Sequence, residues 1–193
     1  MNNRLIEVAL AFRPDLPEEL VARLQKVKIL LVDVDGVLTN GTIYFSDDLQ
    51  ESKGFSTRDG LVLGRVSRYG LLTGAISGRD SAATRARLTA LRFNEIYLGH
   101  LSKWPVVEEI LAKHGLSPQD AAYIGDDLID LPPLSRVGLS VAPGDAHPAL
   151  QAGVDVVLNN PGGQGCVREF IELWLWANGK WEEFIRSFED FAK

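Results

Sequence analysis

Two aspartates follow an apolar run near the start of the chain, at the point where a buried strand should end. The stretch ILLVDVDGVLT (29–39) contains Asp33 and Asp35, two residues apart. Removing an ionised carboxylate from water is costly unless it is paired, so a folded chain rarely buries two without a use for them. Side chains with this spacing on a strand point the same way. One acid could therefore attack a bound group while the other transfers a proton.

Three later segments carry polar groups where predicted strands end or where the next helix begins. Because the carboxyl ends of parallel strands meet at one edge of a sheet, we expect these groups to converge on the first two aspartates. They are Ser77 and Arg79 in AISGRD (75–80), Lys103, and Asp126, Asp127 and Asp130 in GDDLID (125–130).

Phosphoryl transfer is the chemistry that suits this set. Several carboxylates at one point repel each other unless a cation lies among them, and hard oxygen ligands favour magnesium, Mg²⁺. One carboxylate could attack phosphorus and form an aspartyl phosphate. A second acid, two residues away on the same strand, could protonate the leaving oxygen and then deprotonate the hydrolytic water. Ser77 and Lys103 would hold the phosphoryl oxygens.

The elements that position these groups follow an α/β pattern, in which short β-branched runs alternate with amphipathic stretches. The strands are nearly continuous apolar runs. We therefore predict a Rossmann-like parallel sheet with helices on both faces, in a single domain over residues 1–193. Strands are predicted at 27–34, 72–77, 95–99, 121–126, 137–142 and 154–159. Helices are predicted at 58–69, 80–91, 103–114, 127–135 and 166–191.

Residues 41–56 (GTIYFSDDLQESKGFS) break this rhythm and predict a projecting β-hairpin. A lone hairpin is marginal in water, so its aromatic residues should pack either on their own domain or on a neighbouring subunit. Residues 36–76 and 104–125 are too short to hold an inserted cap domain as well. The site is then closed by another subunit, or else the substrate is a macromolecule. The C-terminal helical tail, 180–193, could lie on a neighbour or on the parent domain.

Charge and composition exclude several classes of binding partner. The net charge is −6 and the 20 basic residues are scattered, which argues against nucleic acid as the main partner. The sequence has no run of 18 or more consecutive apolar residues, so no membrane span is predicted. No signal-peptide pattern is recognisable at the start, and we therefore expect a cytoplasmic protein. The single cysteine, Cys166, and the three histidines form no Cys/His metal motif. His100, His114 and His147 have no predicted role.

The polar segments resemble the four motifs of the haloacid dehalogenase superfamily of Mg²⁺-dependent phosphatases, in its capless form. DVDGVLT (33–39) is similar to the first motif, and GDDLID (125–130) to the fourth. The resemblance implies Asp33 as nucleophile, Asp35 as general acid and base, and Ser77 with Lys103 as phosphoryl-binding residues. It further implies a metal site of Asp33, the Asp35 main-chain carbonyl and Asp126, with Asp127 and Asp130 as supporting carboxylates.

A narrower resemblance, over residues 16–180, is to the 3-deoxy-D-manno-octulosonate 8-phosphate phosphatase family, which serves lipopolysaccharide biosynthesis. It rests on GFSTRDG (54–60), AISGRD (75–80), YIGDDLIDLP (123–132), GLSVAPGDAHP (138–148) and GGQGCVREF (162–170). It implies a cytoplasmic homotetramer in which neighbouring hairpins build a central barrel, and a small phosphorylated sugar acid as substrate. The implied substrate-binding residues are Ser56, Thr57, Arg58, Asp59, Gly60, Arg79 and Arg87, beside Asp35 and Lys103.

Two departures from that family leave the substrate open. Gln164 stands where the family commonly has arginine within Gly-Gly-Arg-Gly, and Gly64, next to Arg65, stands where it often has arginine. A nine-carbon ulosonate 9-phosphate is the nearest alternative substrate.

Two other classes are weaker alternatives. In phosphoacceptor signalling domains the acidic pair precedes the phosphorylated aspartate, which is the reverse of the order in this chain. A non-catalytic oligomerisation module need not keep the nucleophile that this chain retains.

Overall fold

The computed structural model describes residues 3–11 and 14–188, so the part of the predicted tail at 189–193 lies outside the described residues. The strands are β1 Ile29–Val32, β2 Tyr44–Phe45, β3 Glu51–Ser52, β4 Leu72–Ser77, β5 Glu95–Leu98, β6 Ala121–Ile124, β7 Leu139–Ala142 and β8 Val156–Val157. The helices are α1 Asn3–Ala11, α2 Glu18–Lys26, α3 Thr57–Val66, α4 Ala82–Ala90, α5 Lys103–His114, α6 Leu131–Leu134, α7 Pro148–Gln151, α8 Cys166–Ala177 and α9 Trp181–Arg186.

Six of the described strands form one sheet in the order β5-β4-β1-β6-β7-β8. Every neighbouring pair is parallel. The chain moves from β1 outward through β4 and β5 and then returns to the other side of β1 with β6. The order therefore reverses between β1 and β6, which is where an open α/β sheet forms its ligand crevice.

The core lies on both faces of this sheet because side chains alternate along the strands. Leu30 and Val32 of β1 join one buried apolar cluster with residues of α2, α3 and α8. Ile29 and Leu31 of the same strand join a second cluster with residues of α5, α6 and α7. All four side chains are 0% exposed. The predicted parallel sheet covered on both faces is confirmed.

The segment between β1 and β4 holds the predicted hairpin, in which β2 pairs with β3 in antiparallel fashion. Between β1 and β4 the structure contains only this hairpin, α3 and a 3-10 turn, and no cap domain. Tyr44 and Phe45 are 56% and 62% exposed, whereas Phe55 packs against the core of its own domain. Phe55 therefore follows the alternative of packing on its own domain, whereas Tyr44 and Phe45 are exposed, and packing on a neighbouring subunit stays a prediction.

Helix boundaries agree closely for 103–114 and differ elsewhere. The helix predicted at 166–191 is two helices, because Gly179 adopts a left-handed φ of 67° between α8 and α9. The helix predicted at 127–135 begins as a 3-10 turn, Leu128–Asp130, and continues as α6. The short helices α1, α2 and α7 were not predicted. None of the helices in the described ranges is long and apolar enough to cross a membrane.

Candidate active site

The carboxyl end of β1 turns sharply and brings the first two acids to the crevice. Asp33 continues the sheet, its N–H donating to the Ile124 carbonyl at 2.9 Å. The Val34 carbonyl then accepts N–H groups from three following residues and closes a tight turn. Gly36 has a φ of 100° in this turn, and a Cβ there would lie 2.0 Å from Asp126 Oδ2. Glycine is required at 36 because of this φ and because the Asp126 carboxylate, from the loop after β6, lies directly against the turn after β1.

A buried lysine joins the acid that follows β1 to an acid in the 3-10 turn after β6. Lys103, the first residue of α5, has a side chain only 1% exposed. Its Nζ lies 2.5 Å from Asp33 Oδ1 and 2.6 Å from Asp130 Oδ1. Although burial alone would lower it, attraction by these carboxylates raises the pKa of Lys103. The lysine is therefore held as a cation, aimed at the predicted nucleophile.

Asp130 connects several groups of this network and is 0% exposed. Its Oδ1 also accepts from the Tyr123 hydroxyl at 2.8 Å, and its Oδ2 accepts from the Asp126 N–H at 3.1 Å. Burial and the nearby carboxylates raise the pKa of Tyr123, so the phenol stays protonated and donates. The sequence reasoning missed Tyr123, although a hydroxyl within an otherwise apolar strand is a usable signal.

Asp33, Asp126 and Asp130 form an acidic cluster with one oxygen of each within 4.8 Å of the others. Burial raises the pKa of Asp33, with the attraction of Lys103 partly opposing this. Burial and then repulsion by Asp33 and Asp130 raise the pKa of Asp126. The site thus holds more negative charge than its one lysine offsets, and a divalent cation bound by hard oxygens would relieve it. The residues present fit magnesium.

Asp35 lies on the hairpin side of the cluster and is not part of it. Its Oδ1 forms an ion pair with Lys53 Nζ at 2.7 Å, and the Asp35 side chain is 22% exposed. Lys53, on the hairpin, was not predicted from the sequence.

Ser77 and Asp127 lie at the same edge of the sheet. Ser77 ends β4, is 1% exposed, and accepts the Arg79 N–H on its Oγ at 3.1 Å. Asp127 is exposed and caps the following 3-10 turn by accepting the Leu128 N–H at 2.7 Å. Its carboxylate thus faces its own turn, while its main-chain N–H lies 3.4 Å from Asp130 Oδ2.

The predicted substrate residues cluster at the start of α3. Ser56 is the N-cap and accepts the Asp59 N–H at 3.2 Å, while Thr57 and Arg58 are exposed on the first turn. Gly60 faces Arg87 of α4, since a Cβ at 60 would lie 2.6 Å from a terminal guanidinium nitrogen. Arg79 is exposed on the loop after β4.

Asp59 differs from the others in being 2% exposed. Its two oxygens accept the main-chain N–H groups of Arg168 at 2.7 Å and Gly165 at 3.2 Å, at the start of α8. Burial raises its pKa despite these bonds. These contacts dock the start of α8 onto α3.

Comparison with known proteins places these features in context. A family model described as haloacid dehalogenase-like hydrolase matches residues 82–170. The 3-deoxy-D-manno-octulosonate 8-phosphate phosphatase of Escherichia coli (strain K12) is 38% identical over 165 residues, which cover 86% of this chain and 88% of that protein.

Two solved structures are also similar. The same phosphatase from Moraxella catarrhalis, in complex with a magnesium ion, a phosphate ion and a KDO molecule, has a TM-score of 0.87 at 31% identity, covering 90% of this chain and 99% of that one. The cobalt-bound Haemophilus influenzae phosphatase has a TM-score of 0.82 at 34% identity, covering 89% and 99%.

Proposed function

Since the chain belongs to the 3-deoxy-D-manno-octulosonate 8-phosphate phosphatase family of haloacid dehalogenase-like hydrolases, and is thus a phosphoric monoester hydrolase, we propose that it hydrolyses the 8-phosphate of that sugar acid through an aspartyl phosphate. One observation carries the mechanism: at the β1/β6 crevice, the buried Lys103 holds Asp33 beside the acids of the β6 loop.

In the first step, Asp33 attacks phosphorus and the bond to the sugar oxygen breaks. Lys103 lies against the nucleophile already, so its positive charge is positioned to bind phosphoryl oxygens without reorganisation. Ser77, at the end of the neighbouring strand, would donate its hydroxyl to another of these oxygens. Asp35 gives its proton to the leaving oxygen.

In the second step, water attacks phosphorus and the bond to Asp33 breaks. Asp35, now ionised, takes the proton from this water and returns to its starting state. Because the same carboxylate acts in both steps, its orientation relative to Asp33 controls both.

The metal site would be built from Asp33, Asp126 and the main-chain carbonyl of Asp35. Asp130 is a poor ligand in comparison, because its oxygens are already used by Lys103, Tyr123 and main-chain N–H groups. When bound, Mg²⁺ would offset the charge of these carboxylates and of the phosphate. Magnesium is the ion in the Moraxella catarrhalis complex.

Three arginines, on α3, on the loop after β4 and on α4, would bind the acid end of the substrate. Arg58 and Arg79 are exposed, and Arg87 lies over Gly60. A guanidinium group binds carboxylate through two parallel hydrogen bonds, so this surface would bind the sugar acid while Ser56 and Thr57 contribute hydroxyls. Asp59 would support the surface from beneath by docking α8.

Gln164 favours one alternative substrate. It lines the same surface cavity as Arg58 and Arg168, so a change there from the family's usual arginine alters the surroundings of a proposed substrate residue. A nine-carbon ulosonate 9-phosphate would need such an altered site, because its chain is longer by one carbon.

We also propose a cytoplasmic homotetramer acting in lipopolysaccharide biosynthesis. The exposed Tyr44 and Phe45 give the hairpin an apolar surface suited to neighbouring hairpins. An adjacent subunit would close the site, over which the described residues form no cap domain.

The test measures phosphate release from the eight-carbon and nine-carbon acids and from a panel of simple sugar phosphates, with Mg²⁺ and with EDTA. We expect metal-dependent release with the highest kcat/KM on 3-deoxy-D-manno-octulosonate 8-phosphate. A preference for another compound of the panel would change the assigned substrate and leave the proposed phosphatase mechanism in place. No metal-dependent release on any member would contradict the enzyme and favour an oligomerisation module.

A further inference from the structure

Lys53 is a buried cation that none of the phosphatase motifs includes. It follows β3 in the hairpin. Its side chain is 1% exposed, although the residue as a whole, main chain included, is only half-buried. Its Nζ lies 2.7 Å from Asp35 Oδ1 and 3.2 Å from Glu51 Oε1. All three atoms are buried, and neither contact has the angles of a hydrogen bond. Electrostatic attraction at short range therefore holds this group together.

The oxygen of Asp35 that lies nearest Lys53 is the buried one. Oδ1 is buried against Lys53, whereas the side chain as a whole keeps 22% of its exposure. The accessible part of the carboxylate therefore lies away from Oδ1. Among the described residues, no side chain or main-chain group donates a hydrogen bond to Oδ2, which is not among the buried atoms.

The location of Lys53 argues against a role in stabilising the hairpin alone. A lysine that served only the hairpin could stay in solvent beside Glu51, at little cost, since exposed ion pairs contribute little. Instead it is desolvated, which is costly, and its shorter contact is with the acid that follows β1. Lys53 thus ties the hairpin to the catalytic turn.

We propose that Lys53 is a positioning residue for Asp35. By holding Oδ1, its ammonium group fixes the carboxylate so that Oδ2 faces the oxygen that leaves phosphorus. The hairpin is then part of the catalytic apparatus as well as a surface for other subunits. This inference rests on the proposed function, because it assumes that Asp35 transfers a proton to the leaving group.

The test uses two substrates that differ in their need for that proton. An alkoxide leaving from a sugar phosphate needs an acid, whereas p-nitrophenolate leaves without one. The constant kcat/KM reports steps up to the departure of the leaving group. For Lys53→Met, we expect kcat/KM on the sugar phosphate to fall by about tenfold to a hundredfold, and on p-nitrophenyl phosphate by less than about threefold.

Lys28→Met is the matched control, because Lys28 forms an equally short ion pair with Asp120, at 2.7 Å, away from the site. It should leave both constants unchanged. Light scattering and circular dichroism establish that each variant keeps its assembly and fold. If Lys53→Met does not fold, Lys53→Arg replaces it: it keeps the charge but displaces the carboxylate, so the same selective fall, smaller in size, is expected.

The outcomes separate this inference from the proposed function. An equal fall on both substrates, or no fall on either, overturns the positioning role of Lys53. If the wild-type protein releases phosphate from neither substrate with Mg²⁺, the proposed function fails first. If the wild-type protein is active and the Lys53 variant loses the same kcat/KM on both substrates, only the positioning role of Lys53 is contradicted.

Discussion

Replacing Tyr123 by phenylalanine removes one hydroxyl group from a side chain that is 0% exposed, and we expect it to destabilise the fold more than it affects catalysis. The hydroxyl donates to Asp130 Oδ1 at 2.8 Å, and the same oxygen accepts from Lys103 Nζ at 2.6 Å. Tyr123→Phe removes the first contact and keeps the second. Lys103 should then stay beside Asp33.

The magnitude follows from the partners. A hydrogen bond to a charged group contributes about 1.5–3 kcal/mol. For a chain of this size, that loss lowers Tm by roughly 3–12 °C. Asp130→Asn should destabilise the fold more than Tyr123→Phe does. It leaves the buried Lys103 with one carboxylate, and the new amide NH₂ group would face donor groups that Asp130 now accepts from. Breaking a buried pair in this way costs about 3–5 kcal/mol.

The two variants should also differ in activity. Tyr123→Phe should lower kcat by less than about tenfold, since Lys103 keeps both carboxylates. Asp130→Asn should lower it by about a hundredfold or more, because a small misplacement of a catalytic group can cost that much. Urea unfolding in EDTA gives the stability, and steady-state phosphate release with Mg²⁺ gives the activity.

Tyr97→Phe is the matched control for Tyr123→Phe. The Tyr97 hydroxyl donates to Glu109 at 2.7 Å, but at an exposed position. Its loss should change stability by no more than about 0.5 kcal/mol. The reasoning is refuted if Tyr123→Phe is equally mild, or if Asp130→Asn costs no more than Tyr123→Phe.

Three further predictions concern the metal site, α8 and the hairpin. Burial and repulsion raise the pKa of Asp126, so the folded state keeps protons that the unfolded chain has lost, and the stability of the metal-free protein should fall as pH rises above the ordinary carboxyl range. Asp126→Asn should reduce this fall and abolish the rise in Tm on adding Mg²⁺, both measured by calorimetry. Asp59→Asn leaves one N–H at the start of α8 without an acceptor and should cost about 0.5–2 kcal/mol in urea unfolding. Replacing Tyr44 and Phe45 together by serine should reduce the subunit number, measured by light scattering, without lowering helix content.

Each of these predictions has a contrary result. An Asp126→Asn variant whose Tm still rises with Mg²⁺ would remove that carboxylate from the proposed metal site. An unchanged unfolding midpoint for Asp59→Asn would mean that its contacts with α8 contribute nothing. An unchanged mass for the hairpin variant would place the subunit interface elsewhere.

Local patterns predicted the sheet because its strands are apolar runs that need burial on both faces. The acids Asp33 and Asp126 could be assigned to one edge, since parallel strands end there and both follow such runs. The close approach of Asp126 to the turn after β1 could not be predicted, because only the fold shows that a Cβ at Gly36 would meet Asp126.

Other features depend on contacts between distant parts of the chain. Lys53 looks like an exposed hairpin lysine until the hairpin folds over Asp35. Asp59 lies within a motif associated with substrate, yet its oxygens accept N–H groups more than a hundred residues away, at the start of α8. The helices α1 and α2 are nine residues long and gain their stability from packing on α9 and α8, which propensity alone does not reveal.

Trapping the covalent intermediate tests the central claim most directly. Asp35→Asn should still accept phosphate from p-nitrophenyl phosphate but should hydrolyse the intermediate slowly, so acid quenching followed by borohydride reduction converts an aspartyl phosphate to homoserine. The account predicts homoserine at position 33 in the peptide mass spectrum, and none in the double variant that also carries Asp33→Asn. Modification at another aspartate, or none during turnover of the substrate, would contradict Asp33 as the nucleophile.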